Sequence, residues 1–237
     1  MPTLYTTNTN KDGMVWIYAA TDWDATRSAG SGGAYNSTSS APGMIIDRFA
    51  GRGGYVTAIY RMMLWFDTSG ISVAPASATL KIMPKTIFEA IDLIAVRRSG
   101  NGSFNLTGYS TMVGDGDSPT AATQLAATDG SGGGTLASVP GLAYSSNTGT
   151  SYSVDSYIDI PLNATALANM ASLDDFSIMV MDYTYDYRDQ EFPLTGTDAK
   201  YSFFYMGESA TAKEPYIEFT AATTTVAENA TFFGANF

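Results

Sequence analysis

The stretch MDYTYDYRDQEF, residues 181–192, gathers carboxylates, tyrosines and a guanidinium into one short segment. Asp186, Asp189 and Glu191 are of the type that forms a glycosidase acid pair, and a tyrosine beside Arg188 is of the type that moves a proton in a lyase. The spacing does not fix any distance between the carboxylates, and acid clusters on loops are ordinarily solvated. The expectation is therefore a non-catalytic protein with no catalytic residues. If the strand carrying Phe176, Ile178 and Val180 continues in register, Tyr183, Tyr185 and Tyr187 fall on its opposite face, with Asp182 and Asp186 on the core side. Such an inversion means that the strand leaves the core there. The tyrosines with Arg188 then read as a glycan or subunit contact, or else as aromatics packed beneath a loop.

Other chemistries are excluded by composition. The chain has no histidine and no cysteine, which removes a Ser-His-Asp triad, imidazole or thiolate metal sites and disulfides. Asp22 and Asp24, and Asp115 and Asp117, flank single residues in the manner of oxygen-ligand turns, so Ca2+ is the one metal the sequence suggests. Neither has the bidentate glutamate of an EF-hand, and aspartate-rich turns also form for backbone reasons alone. No other cofactor is expected. Trp23, between the first two aspartates, is either a contact residue or a sandwich-edge packing residue, as is Trp16. The net charge of -11 argues against nucleic acid as a partner, because binding a phosphate backbone needs clustered Lys and Arg. GRGG at 51–54 reads as a turn, and DGSGGG at 129–134 lacks the Gly-Lys-Ser/Thr ending of a phosphate loop.

The elements that must position these residues are mostly strands. Alternation gives Met14–Tyr18, then Val56–Phe66, with Val56, Ala58, Tyr60, Met62, Leu64 and Phe66 on one apolar face. The other face is mixed, with Thr57, Ile59, Arg61, Met63, Trp65 and Asp67. Arg61 and Asp67 share that face but lie roughly 20 Å apart along the strand. Each must therefore find another partner, such as Glu208 or a neighbouring strand, in a structural role. Asp67–Gly70 is turn chemistry, and further strands are expected at Ala78–Met83, Ile87–Arg97, Tyr152–Ile160, Phe176–Tyr187, Tyr201–Met206 and Tyr216–Thr220. Helical character is confined to Ala121–Ala127 and to Leu162–Ala171, which Asn163 can cap. No stretch reaches the roughly 18 apolar residues of a membrane span. The N-terminus lacks the basic and apolar regions of a secretory signal, so the chain is expected to begin as synthesised and to be soluble.

At 237 residues the chain is expected to form one domain over 1–220. Residues 221–237 form a distinct tail, rich in threonine and then carrying Phe232, Phe233 and Phe237. The tail closes the sandwich edge, packs on a neighbouring subunit as an assembly arm, or frays.

The order Arg61, Phe66-Asp67-Thr68-Ser69, Ile71 and then ASATLKI resembles the R-x-x-L-x-F-D-x-S-x-I…A-x-A-T-L-x-L segment of DNRLRE-type jelly-roll modules. IDIPLNATALANM, residues 158–170, is similar to that family's strand and short helix. YSFFYMGESATAKEPYIEFTAA, residues 201–222, is similar to its closing strand pair. Together they cover about residues 12–220. Met206 and Gly207 stand where the family carries a serine before the glutamate, and 183–187 is richer in tyrosine, so no family binding residue is carried over.

The resemblance implies an all-β, antiparallel β-sandwich of jelly-roll type with one or two short helices, in which Asp67–Ser69 starts the crossing to the opposite sheet. Such modules are non-catalytic and occur in extracellular bacterial and archaeal proteins, one group being classed as carbohydrate-binding, and in phage structural proteins. Two functions follow as expectations. One is a structural virion protein of a bacterial virus, a capsid decoration or tail- or fibre-associated jelly roll contacting other virion or self subunits and host glycans. The other is a free-standing carbohydrate-binding module, extracellular or at a cell surface, with a polysaccharide partner.

Overall fold

A computed structural model describes residues 1–6, 12–19, 33–36, 43–44, 46–51, 54–98, 136–138, 141–190, 201–207 and 212–222. Among these the strands are β1 (Thr3–Tyr5), β2 (Gly13–Ala19), β3 (Gly33–Asn36), β4 (Gly43–Met44), β5 (Ile46–Gly51), β6 (Gly54–Asp67), β7 (Ser77–Ile82), β8 (Pro84–Ile87), β9 (Leu93–Arg97), β10 (Ile158–Pro161), β11 (Asp175–Asp182), β12 (Ser202–Phe204) and β13 (Tyr216–Thr220). One α-helix, α1 (Ala164–Ser172), a 3-10 turn at Leu136–Ser138 and a π-helical turn at Tyr183–Tyr187 complete the described elements.

Pairing is antiparallel throughout and nested from the ends inward. β1 pairs β13, β6 pairs β11 and β7 pairs β10, while Val96 at the end of β9 bridges Ala143. The chain alternates between a four-stranded sheet, ordered β1-β13-β7-β10, and a six-stranded sheet, in which the order β3-β2-β6-β11-β9 is joined by β5 beside β6. Nested pairs that alternate between two sheets define a jelly roll. The step from β6 to β7 crosses from one sheet to the other. The crossing starts where Asp67 Oδ1 accepts from Ser69 N at 3.0 Å and from Ser69 Oγ at 2.6 Å, while Thr68 N donates to the Asp174 carbonyl at 3.0 Å and ties the turn to the start of β11.

Strands β2 to β5 lie between β1 and β6 in sequence and enlarge the six-stranded sheet. β2 covers residues 57–63 of β6, so β5 (at 54–59) and β11 (at 62–67) must follow one another along the other edge. The 14-residue length of β6 is what accommodates both. A small third sheet, β4-β12-β8, completes the pairing among the described strands.

The two main sheets differ in how they meet water. In β7, Ala78, Leu80 and Ile82 are buried while Ser77, Thr79 and Lys81 point outward, the alternation of a sheet with one solvated face. β10 repeats it, with Ile158 and Ile160 inward and Asp159 outward. By contrast, Ala58–Phe66 of β6, Leu93–Val96 of β9 and Phe176–Asp182 of β11 are buried without interruption, so the sheet is covered on both faces along these strands. From residue 58 on, the mixed face expected on β6 is thus nearly as buried as its apolar one: Ile59, Arg61 and Met63 are fully enclosed, Trp65 is buried, and Asp67 at the strand end is exposed.

Helix α1 starts where the sequence signals it. Asn163 Oδ1 accepts from Ala166 N at 3.0 Å, while its Nδ2 donates to the Ala143 carbonyl at 2.6 Å, tying the cap to the neighbouring segment. The helix buries Ala166 and Met170. Beside it Tyr144, fully buried, stacks on Phe176 at 5.3 Å, and its hydroxyl accepts from Asn169 Nδ2 at 2.7 Å.

Several expected boundaries are corrected. The strand anticipated over Ile87–Arg97 is two strands, because residues 88–92 bend between the third sheet and the six-stranded one. Tyr152–Ile160 is extended only from Ile158, and Tyr201–Met206 pairs only over Ser202–Phe204. β1, β3, β4 and β5 fall where no strand was anticipated, and so does β8 before Ile87. The helix expected at Ala121–Ala127 lies outside the described residues. No helix among the described residues is long and apolar enough to cross a membrane.

Candidate functional site

The segment that drew attention in the sequence is not an exposed tyrosine row. β11 ends at Asp182, and the next five residues coil into the π turn, closed by a bond from Arg188 N to the Tyr183 carbonyl at 3.0 Å. Asp182 starts the turn: its Oδ1 accepts from Tyr185 N, as an N-cap does. The turn replaces strand alternation, so the predicted shared face of Tyr183, Tyr185 and Tyr187 is lost. Tyr187 is buried, and Tyr183 and Tyr185 pack against the main core. Tyr183 stacks on Tyr187 at 5.8 Å, with the guanidinium of exposed Arg188 5.8 Å from the Tyr183 ring.

What the turn does place is Asp186. Its carboxylate is enclosed and receives Arg61 Nε at 2.6 Å and Nη2 at 2.7 Å, a two-point charge pair. This gives Arg61 a partner at the end of the neighbouring strand β11, one of the two sources expected; the other, Glu208, lies outside the described residues. It also occupies Asp186 as an ion-pair acceptor rather than as a free catalytic acid. Asp182, equally enclosed, is different: burial pushes its carboxyl up to about 7, with nearby Asp186 and Asp92 adding to the effect.

Trp23, Asp22, Asp24, Asp115 and Asp117, together with Phe232, Phe233, Phe237 and Glu191, lie outside the described residues. Among the described residues no group of three or more acidic side chains converges as a metal site. Gly207, where the resembling modules carry a serine, lies against Thr6: a Cβ there would sit 2.7 Å from Thr6 Oγ1. A side chain at this position would have to displace the Thr6 side chain.

Two surfaces assembled by the fold were not read from the sequence. The first is the outer face of the four-stranded sheet. Register aligns Tyr5, Tyr216, Lys81 and Asp159 in one row across all four strands. The Tyr5 and Tyr216 rings lie 5.6 Å apart, and Tyr157 meets Tyr216 edge-on at 5.0 Å. The Tyr157 hydroxyl donates to the carbonyls of Ala212 at 3.0 Å and Glu214 at 3.3 Å. Lys81 Nζ bonds Asp159 at 2.7 Å and reaches Glu218 at 3.5 Å; the Asp159 bond holds the lysine above its ordinary range. Burial raises the phenols of Tyr157 and Tyr216, so both stay protonated donors at neutral pH.

The second surface lies where β8 bends towards β9. Phe88 is 61% exposed, stacks on Tyr201 at 4.0 Å and lies 6.5 Å from Phe203. Alternation in SATLKI and PYIEF marks Lys81, Tyr216 and Glu218 as outward residues. Bringing Tyr5 beside Tyr216 needs a pairing across more than two hundred residues, for which no local signal exists.

Comparison with protein-family models finds no match, and none of the curated proteins matches the chain.

Proposed function

We propose that the protein is a non-catalytic structural component of a bacterial virus's virion, a jelly-roll decoration or tail- or fibre-associated protein that acts by presenting surfaces to neighbouring subunits. The observation that carries this reading is the Phe88 cluster. A phenylalanine has no polar tip, so one that is 61% exposed and stacked on Tyr201 offers a partner apolar contact and nothing else. Exposed aromatics of this kind are what subunit interfaces bury at their centres. The resemblance to DNRLRE-type modules supplies the setting, and residues 221–237, with three phenylalanines, are the second contact element in this reading.

Light scattering after size exclusion, at several concentrations, tests it on the full chain, on Phe88→Ser and on a chain ending at residue 222. The full chain is expected to self-associate, and either change is expected to shift it toward monomer while thermal unfolding stays cooperative. A monomer at every concentration overturns self-assembly.

A second reading, a free-standing extracellular carbohydrate-binding module, is favoured by the Tyr5, Tyr216 and Tyr157 surface, whose rings carry hydroxyls as well as apolar faces. A protein that stays monomeric and binds polysaccharide selects this reading.

A further inference from the structure

We propose that the outer face of the four-stranded sheet is a binding site for a neutral polysaccharide. The inference rests on reading the protein as a non-catalytic jelly roll that works through its surfaces, and it applies to a virion component and to a free module alike.

Three features of the face carry it. Its rings are pre-positioned: Tyr5 and Tyr216 sit on paired strands, and Tyr157 is fixed by its two hydroxyl bonds to backbone carbonyls. Aromatic faces held on a sheet give up little conformational freedom when a sugar ring packs its C–H face on them. Polar groups border the rings on one side. Lys81 is a donor already oriented by Asp159 and Glu218, whose carboxylates keep further acceptor capacity for ligand hydroxyls. Finally, Tyr5 is 56% exposed, and neither its hydroxyl nor that of Tyr216 has a hydrogen-bond partner among the described residues.

The same features decide against other occupants. A protein interface depletes charge at its centre, whereas this row ends in an ammonium flanked by two carboxylates. A polyanion is disfavoured because those three groups sum to one negative charge and the chain carries a net -11. What remains is an extended, uncharged, hydroxyl-rich chain that meets the tyrosines with its C–H faces and the Lys81 group with its hydroxyls.

The test is native affinity electrophoresis of the full chain in gels containing a soluble α-glucan, β-glucan, xylan or galactomannan, with polygalacturonate as the charged control. Retardation by at least one neutral polymer and none by polygalacturonate is expected. Tyr216→Ala and Tyr5→Ala should each weaken it ~10-fold or more, and the exposed position of Tyr5 makes the second variant the one that leaves the fold untouched. Thermal melting of each variant separates lost binding from lost structure. No retardation by any neutral polymer, or stronger retardation by polygalacturonate, overturns the site. Retardation that survives both substitutions also overturns it, but leaves the protein a glycan binder through another surface.

Discussion

Asp182 stands where β11 gives way to the π turn, and its ionisation is a stability term in its own right. Burial raises its folded-state pKa to about 7, against about 3.9 for an unfolded aspartate. The bond from Tyr185 N pulls the other way, and the carboxylates of Asp186 and Asp92 push up. Because the folded form holds the proton more tightly, this group's contribution is fully present below about pH 4 and is lost as the pH rises through 7. Asp182→Asn keeps an oxygen for Tyr185 N and removes the charge. Urea melts should therefore find it at least as stable as wild type at pH 8, by on the order of 1–4 kcal/mol, with that advantage gone at pH 4. An equal loss at both pH values would show that shape, not charge, matters there. Sequence alternation placed Asp182 and Asp186 on the core side; both are buried, but only Asp182 is in the strand, and Asp186 is turned inward by the π turn. It could not name the partner of Asp186, because Arg61 is 125 positions away.

At the scale of elements, the Arg61–Asp186 pair fastens the π turn to the middle of β6. Both side chains are enclosed, so removing one takes from the other its two-point, charge-assisted partner in a buried setting, where breaking such a pair costs about 3–5 kcal/mol. Asp186→Leu should lower the urea midpoint accordingly, and adding Arg61→Met should recover much of the loss, since a well-packed apolar pair replaces an ion pair at little cost. A single substitution that costs under ~1 kcal/mol would mean that the pair does not hold the turn. Elements with a local signature were legible in the sequence. Tyr216–Thr220 was read to the residue, and Asn163 caps α1 as its position before an alanine-rich run suggests. Elements decided by their neighbours were not. Ile87–Arg97 is continuous in composition but is split by a bend, and the three residues of β1 become a strand only because β13 lies beside them. The tyrosines of 183–187 fit a strand by alternation, yet Asp182 caps a turn there instead.

For the whole molecule, the many short strands and turn signals made an antiparallel sandwich legible, and the jelly roll was expected from a resemblance, while the faces the fold exposes depend on registers that no segment contains. The nesting also has a mechanical consequence. Residues 3 and 218 are partners, Phe219 N donates to the Pro2 carbonyl at 3.1 Å, and Met1 lies against Thr220. A pull applied at residues 1 and 222 therefore acts at the same end of the β1–β13 ladder and loads its hydrogen bonds one after another. A pull at residues 1 and 213 acts at opposite ends and loads them together. The chain has no native cysteine, so handles can be placed by Met1→Cys with either Ala222→Cys or Lys213→Cys. In single-molecule stretching the first geometry should yield at lower force than the second; equal forces would mean that the first barrier lies elsewhere in the sandwich. Tethered at residues 1 and 222, this sandwich opens like a zip, whereas a load spread along β1 and β13 meets the whole seam at once.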